Sequence, residues 1–323
     1  MKAGKISESV LKRSVLKKIC YKSKSVLSRA AVGHDSCVIA EGEKRIVMST
    51  QTEVAKRDLH KSRALIKAIN NVAAVGGMPQ YAQISIVLPE GMREIKLKML
   101  MEEMAEKAAE NKVHITGGHT AVSDAVIHPV VTVTVTGIMN ADEGCVYKYK
   151  EEVKPGQDIV MTKAVALEGT AILAMEREEE FLGRFTPLYI ENAKSFIEDI
   201  SVVREAEIAA KHGVAAMHDM SSGGVFGALW ELGEAGNCGL EVDLRKINIR
   251  QETIELTDYF NINPYLMPSA GSLLMVTSDG LGLVNELKKS GIDGYVIGKI
   301  TEGNDRVIIN EDEKRFLEPP KNK

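Results

Sequence analysis

Three short segments combine glycine with side chains that can hold an anion or a cation: Gly33-His34-Asp35-Ser36, Gly117-Gly118-His119-Thr120, and His218-Asp219-Met220-Ser221-Ser222-Gly223-Gly224. Each lies directly after an expected strand or before an expected helix. There, free backbone N–H groups and the helix dipole favour negative charge. One glycine turn beside a helix is usually plain structure. Three in a single chain, two of them with aspartate, point to a phosphate or Mg²⁺-nucleotide site, with Asp35 and Asp219 as candidate metal ligands.

The histidines allow a second chemistry. His34, His119 and His218 each sit inside one of these loops, and imidazole suits Zn²⁺, Fe²⁺ or Ni²⁺ better than Mg²⁺. A transition-metal site built from them with Asp35 or Asp219 is one reading; hydrogen bonding to phosphate or backbone is the simpler one. His60, His114, His128 and His212 have no such context. Lys5, in the N-terminal segment, reads by itself as a solvated lysine, and Lys56 and Arg57 are similar. Glu168 reads as a helix cap more simply than as a cleft residue. Trp230, on the apolar face of an expected helix, reads as core.

The elements that must position these loops form two α/β runs. In the first, residues 38–50 give two strands around Glu41-Gly42-Glu43, and residues 59–75 a helix ended by Gly76-Gly77-Met78-Pro79. A strand at 82–88, a long amphipathic helix at 92–111, a short strand at 113–116 and an alternating β-branched strand at 129–139 complete it. The charged, irregular stretch from Ala141 to Gly156 marks a boundary, giving domains at 1–150 and 151–323. The second run predicts strands at 158–162, 214–218, 240–244, 273–277 and 294–300. Its helices are expected at 168–179, 200–211, 223–235 and 281–290. A cleft between two such halves is the usual place for a ligand.

Composition limits the function classes. With 323 residues, 44% hydrophobic and 27% charged, the chain has the balance of an ordinary globular protein. Its 41 basic and 45 acidic residues are interspersed, giving a net charge of -4, which argues against a nucleic-acid binder. Residues 2–24 are basic and predict a surface helix with a solvated face. No apolar run approaches the ~18 residues of a membrane span, so a cytoplasmic protein without membrane contact is expected. Cys20, Cys37, Cys145 and Cys238 are far apart, which suggests buried free thiols.

The motifs also occur in a recognisable order. GKI at 4–6, GHDS at 33–36, ST at 49–50, INNVAAVGGMP at 69–79, LPEG at 88–91, TGGHT at 116–120, KPGQDIVMTKAVALEGTAILA at 154–174, SVVREA at 201–206, MHDMSSGG at 217–224 and PSAGSLLM at 268–275 cover nearly the whole chain. This series resembles the aminoimidazole-ribonucleotide (AIR) synthetase superfamily, and its GGHT and ALEGTAILA stretches are most similar to the HypE-like, AIR synthase-related branch. The resemblance implies a PurM-like two-domain α/β (α+β) fold. Its four-stranded N-terminal sheet would close a β-barrel across a homodimer, and an α/β sandwich domain would complete the cleft. It also implies ATP and Mg²⁺ in a groove at the sheet edges and ATP-dependent phosphorylation of an acceptor oxygen.

Carried onto this sequence, the resemblance places Lys5, Asp35, Gln51, Asn71, the Gly117, Gly118, His119 and Thr120 loop, Asp219, Gly223 and Gly224 along the nucleotide groove, with Asp35 and Asp219 on the metal. Two positions depart from the pattern: Gln51 and Asn71 are amides where carboxylates are usual, so they add no charge for Mg²⁺. HypE proteins that make the cyanide ligand end in a cysteine, whereas here no cysteine follows Cys238, so that reaction is not expected in its usual form. Nor does the Cys-Gly loop of selenophosphate synthetase occur, since Tyr21 follows Cys20. The implied partners are a nucleotide and a small-molecule or protein acceptor. The rival expectation is a non-catalytic paralogue that keeps the cleft as a binding or scaffold subunit.

Overall fold

A computed structural model describes residues 6–55, 62–140 and 149–320. Lys5, Lys56, Arg57, His60 and Cys145 lie outside the described residues. The first sheet is built from β1 (Val26–Ser28), β2 (Cys37–Glu41), β3 (Lys44–Val54), β4 (Met78–Pro89), β5 (His114–Ser123) and β6 (Val130–Asn140). Their order is β1-β2-β3-β6-β4-β5, antiparallel except for the parallel pair β4–β5. Six strands thus stand where the resemblance implied four. Along β6 the alternation of Val131, Val133 and Val135 with threonines buries one face, as period-2 patterning requires. On the opposite face, Thr50 and Thr52 of β3 hydrogen-bond Thr134 and Thr132 across the strands at 3.0 Å.

Three helices accompany this sheet: α1 (Glu8–Ser14), α2 (Arg63–Ala73) and α3 (Glu94–Glu110). The expected basic helix over residues 2–24 is short within the described residues. It spans only α1 and a 3₁₀ turn at Leu16–Lys18, with none of its residues buried. Helix α2 has little exposed surface because it lies between the first sheet and elements of the C-terminal half.

The second sheet takes β7 (Asp158–Thr162), β8 (Ala216–Asp219), β9 (Gly239–Asp243), β10 (Leu273–Thr277), β11 (Gly294–Thr301), β12 (Arg306–Asn310) and β13 (Glu313–Phe316). The order is β13-β12-β9-β11-β7-β10-β8, with only β12–β9 parallel. Around it run α4 (Tyr149–Glu152), α5 (Leu167–Glu176), α6 (Glu178–Leu182), α7 (Pro187–Ser195), α8 (Val203–His212), α9 (Gly224–Gly236), α10 (Gln251–Tyr259) and α11 (Gly280–Lys289). Mostly antiparallel sheets with helices against them make this a mixed α/β architecture. The largest hydrophobic cluster spans both halves, joining Val47, Leu65 and Ile69 to Ala171, Ile200 and Ala270. Asn70 ties them too: its Nδ2 donates to the Ile200 carbonyl at 2.7 Å, and its Oδ1 accepts from the Val202 N–H at 3.0 Å.

Gly117 to Thr120 do not form a loop. They continue β5 as an edge strand, paired with Gln83 to Ile86 of β4, and all four are exposed. A β-carbon on Gly118 would lie 1.7 Å from the Ile84 carbonyl oxygen, so glycine is needed here for strand-to-strand approach rather than for a phosphate cradle.

Candidate functional site

The turn before β2 carries Asp35, and neighbouring elements fix it through its backbone and flanking residues. Ser49 Oγ on β3 donates to the Asp35 carbonyl at 2.7 Å, and Ser36 Oγ donates to the Asn71 carbonyl on α2 at 2.8 Å. Gly33 has φ +76°, and a β-carbon there would meet the Glu231 carbonyl at 2.8 Å, so α9 packs directly against this turn. The Asp35 side chain remains exposed.

From the other half, β8 delivers His218 and Asp219, both buried. The chain then turns through Gly223 (φ +99°) into α9, whose first residue, Gly224 (φ +64°), sits against the Tyr265 carbonyl with no room for a side chain. The N-terminus of α9 therefore opens close to the Asp35 turn, and its free N–H groups favour an anion.

The two amides that replace carboxylates make a specific contact. With the Asn71 amide oriented to satisfy its neighbours, Nδ2 donates to Asp219 Oδ1 at 2.9 Å and Oδ2 at 3.1 Å, while its oxygen accepts from Gln51 Nε2 at 2.7 Å. Gln51, Asn71 and Asp219 thus form one hydrogen-bonded chain. Asp35, Asn71, His218 and Asp219 also line a small cavity of about 20 Å³. This opens beside a cleft of about 1090 Å³ whose lining includes Gly33, Asp35 and Gly223. Phe226 and Tyr265, stacked with ring centroids 5.2 Å apart, form part of the apolar wall.

Trp230 is partly buried: it packs against the hydrophobic core of the C-terminal half and also lines that wall. Its ring lies 4.1 Å from the Arg306 guanidinium, and its Nε1 donates to Glu8 Oε2 at 3.3 Å, drawing α1 across the cleft.

Carboxylate crowding sets the electrostatics. Burial, and then the neighbouring Asp35 charge, push the Asp219 carboxyl up to about 7, while the His218 charge pulls it down. Burial disfavours a charged His218, but the 3.2 Å hydrogen bond with Glu231 and the charges of Glu231, Asp219 and Asp35 outweigh it and raise the imidazole. Both groups hold protons in the folded state that the unfolded chain releases. Their contribution to stability is therefore complete below the unfolded values and is lost as pH rises through the folded ones, for Asp219 between 3.8 and about 7. Without nucleotide or divalent ion, the melting temperature should fall by a few degrees between about pH 6 and about pH 8, and Asp219→Asn should flatten the slope. An unchanged slope in that variant would remove Asp219 as its source.

Of the residues singled out in the sequence, Asp35, Gln51, Asn71, Asp219 and Gly223 are brought together, and Gly224 supports them. Gly117, Gly118, His119 and Thr120 line neither cavity. The three motif histidines do not all converge: His119 is exposed on β5, whereas His34, whose Nδ1 lies 3.0 Å from Ser28 Oγ, lines the small cavity together with Asp35, His218 and Asp219. Glu168 caps nothing. It is fully buried and paired with Lys67 and Arg63. Sequence reasoning missed Glu231, although an acid inside the apolar run ALWELGEA was a signal.

Residues 33–139 match the N-terminal domain model of AIR synthase related proteins, and residues 154–310 match the C-terminal domain model, so the chain belongs to that family. Within it, the chain falls in the HypE-like branch. It is 25% identical to a putative hydrogenase expression/formation protein of Methanocaldococcus jannaschii, over 95% of this chain and 91% of that one. To the carbamoyl dehydratase HypE of Azotobacter vinelandii it is 24% identical, over 83% and 78%. Among solved structures, a HypE–HypF complex superposes with a TM-score of 0.79 at 18% identity, over 96% of this chain and 99% of that one. A HypE in complex with ATP superposes at 0.74 with 16% identity, over 99% and 96%. Among the described residues, no helix is long and apolar enough to cross a membrane.

Proposed function

We propose that the protein binds ATP in the cleft and transfers a phosphoryl group to a small-molecule or protein acceptor in hydrogenase or other metallocofactor maturation in the cytoplasm. The observation that carries this reading is the meeting of Asp35 and Asp219 with the N-terminus of α9 at one end of the cleft. The likeness to a HypE solved with ATP supports it. Division into domains at 1–150 and 151–323 is part of the same reading, as is a homodimer formed along the first sheet, where Tyr81, Val122 and Ile127 are exposed.

The donor set fits Mg²⁺ in a restricted way. Two carboxylates remain, and both oxygens of Asp219 already accept from Asn71. Such a set suits an ion held mainly by phosphates and water, with Asp35 as the accessible anchor. When bound there, Mg²⁺ would neutralise phosphate charge. The chain itself would supply backbone N–H groups near Gly223 for the phosphates, Phe226 and Tyr265 for apolar contact, and α1 to restrict water. Phosphoryl transfer needs little beyond such positioning and charge neutralisation.

Calorimetric titration of metal-defined protein with ATP, with and without Mg²⁺, tests the reading. Mg²⁺-dependent binding at one site per chain is expected. Absence of binding would favour a scaffold subunit, a reading to which the self-satisfied Gln51–Asn71–Asp219 chain lends some weight.

A further inference from the structure

We infer that Asp35, His218 and Glu231 form a binding site for one transition-metal ion, of the class of Zn²⁺, Fe²⁺ or Co²⁺, that needs no nucleotide. One ligand atom from each residue can be chosen so that all lie within 4.8 Å of one another. His218 Nε2 and Glu231 Oε2 are 3.2 Å apart, close to the roughly 3.3 Å expected between two ligands that each lie 2.0–2.1 Å from a tetrahedral ion. Both are buried and rigidly placed, His218 in the middle of β10's partner strand opposite Leu274 and Glu231 within α9. The exposed Asp35 side chain, on a turn anchored by its backbone, can swing the remaining distance.

Two further features point to an ion. The carboxylates of Asp35 and Glu231 act on the single imidazole of His218, negative charge that a divalent cation would neutralise. The cavity of about 20 Å³ lined by His34, Asp35, His218 and Asp219, with Glu231 reaching His218 from outside that lining, has room for one ion or one water. An imidazole ligand selects against Mg²⁺, which takes oxygen donors. The ligand set differs from that suggested by the motif histidines, since Glu231 joins His218 and Asp35, while His34 lines the same cavity and His119 lies on the edge of the first sheet. The inference goes beyond the nucleotide reading and does not depend on it.

The experiment is titration of metal-stripped wild-type protein with Co²⁺ in the absence of nucleotide, read by the visible d–d absorption and by paramagnetic shifts of histidine ring resonances. One Co²⁺ per chain, the largest shifts on His218 with smaller ones on the neighbouring His34, and retention against excess Mg²⁺ are expected. His218→Gln and Glu231→Gln should each weaken binding by about tenfold or more, whereas His119→Ala should not change it. Lack of stoichiometric binding, displacement by Mg²⁺, or unshifted histidine resonances would overturn the inference. The wild-type resonances decide the matter even where a substitution impairs folding. ATP binding without Co²⁺ binding would overturn the metal site alone, and Co²⁺ binding without ATP binding the nucleotide reading alone.

Discussion

Lys67→Ala should destabilise the protein by about 3–5 kcal/mol, because it leaves a fully buried carboxylate without its nearest cation. Lys67 Nζ lies 2.7 Å from Glu168 Oε1 and 2.8 Å from Glu53 Oε1, and Arg63 bridges the same two acids at 3.4 and 2.9 Å. Burial works against the Lys67 charge, but Glu168 and Glu53 outweigh it and hold its pKa above the ordinary lysine value. Glu168 Oε2 has no hydrogen-bond partner among the described residues, so loss of Lys67 leaves the carboxylate with only the longer 3.4 Å contact to Arg63. Because Lys67 is on α2 and Glu168 on α5, the loss should loosen one half against the other. A fall of about 10 °C in melting temperature is expected. Removing both charges, as Lys67→Met with Glu168→Leu, should recover most of it, since well-packed apolar pairs often match buried ion pairs. A single variant as stable as the wild type would mean that water reaches Glu168.

Asp35→Ala should abolish most of the stabilisation that ATP with Mg²⁺ gives the wild type. At a ligand concentration of about 100 Kd that stabilisation is roughly 2.7 kcal/mol. The side chain is exposed and the turn is held through its backbone carbonyl by Ser49, so the variant should fold normally. Its melting temperature without ligand should stay level or rise, because Asp219 loses the like charge that burdens it. Melting curves with and without Mg²⁺-ATP measure both effects. An undiminished nucleotide shift would show that Asp35 is not part of the nucleotide site.

Much of the fold was legible because patterning acts locally. The alternation in residues 130–140 and the apolar runs at 158–162 and 273–277 each state which faces are buried, and all three are strands. Helices α7 and α10 went unread: their apolar positions are few and pack on other helices, so the periodic signal is weak. The edge strand β5 was read too short because its outer half is exposed and glycine-containing, a composition that is ordinarily a loop. Pairing with β4 alone makes it a strand.

The sequence by itself determined the family, the mixed α/β class and the candidacy of Asp35, Gln51, Asn71 and Asp219, because motif order and residue type are one-dimensional properties. Tertiary structure alone decided which of the candidates meet. It set Asn71 between Gln51 and Asp219, sent Gly117 to Thr120 to a sheet edge, paired Glu168 with Lys67 across more than 100 residues of chain, and brought Glu231 to His218. The physical reason is that burial and partner distance set the cost of a charge, and both depend on how the two halves pack.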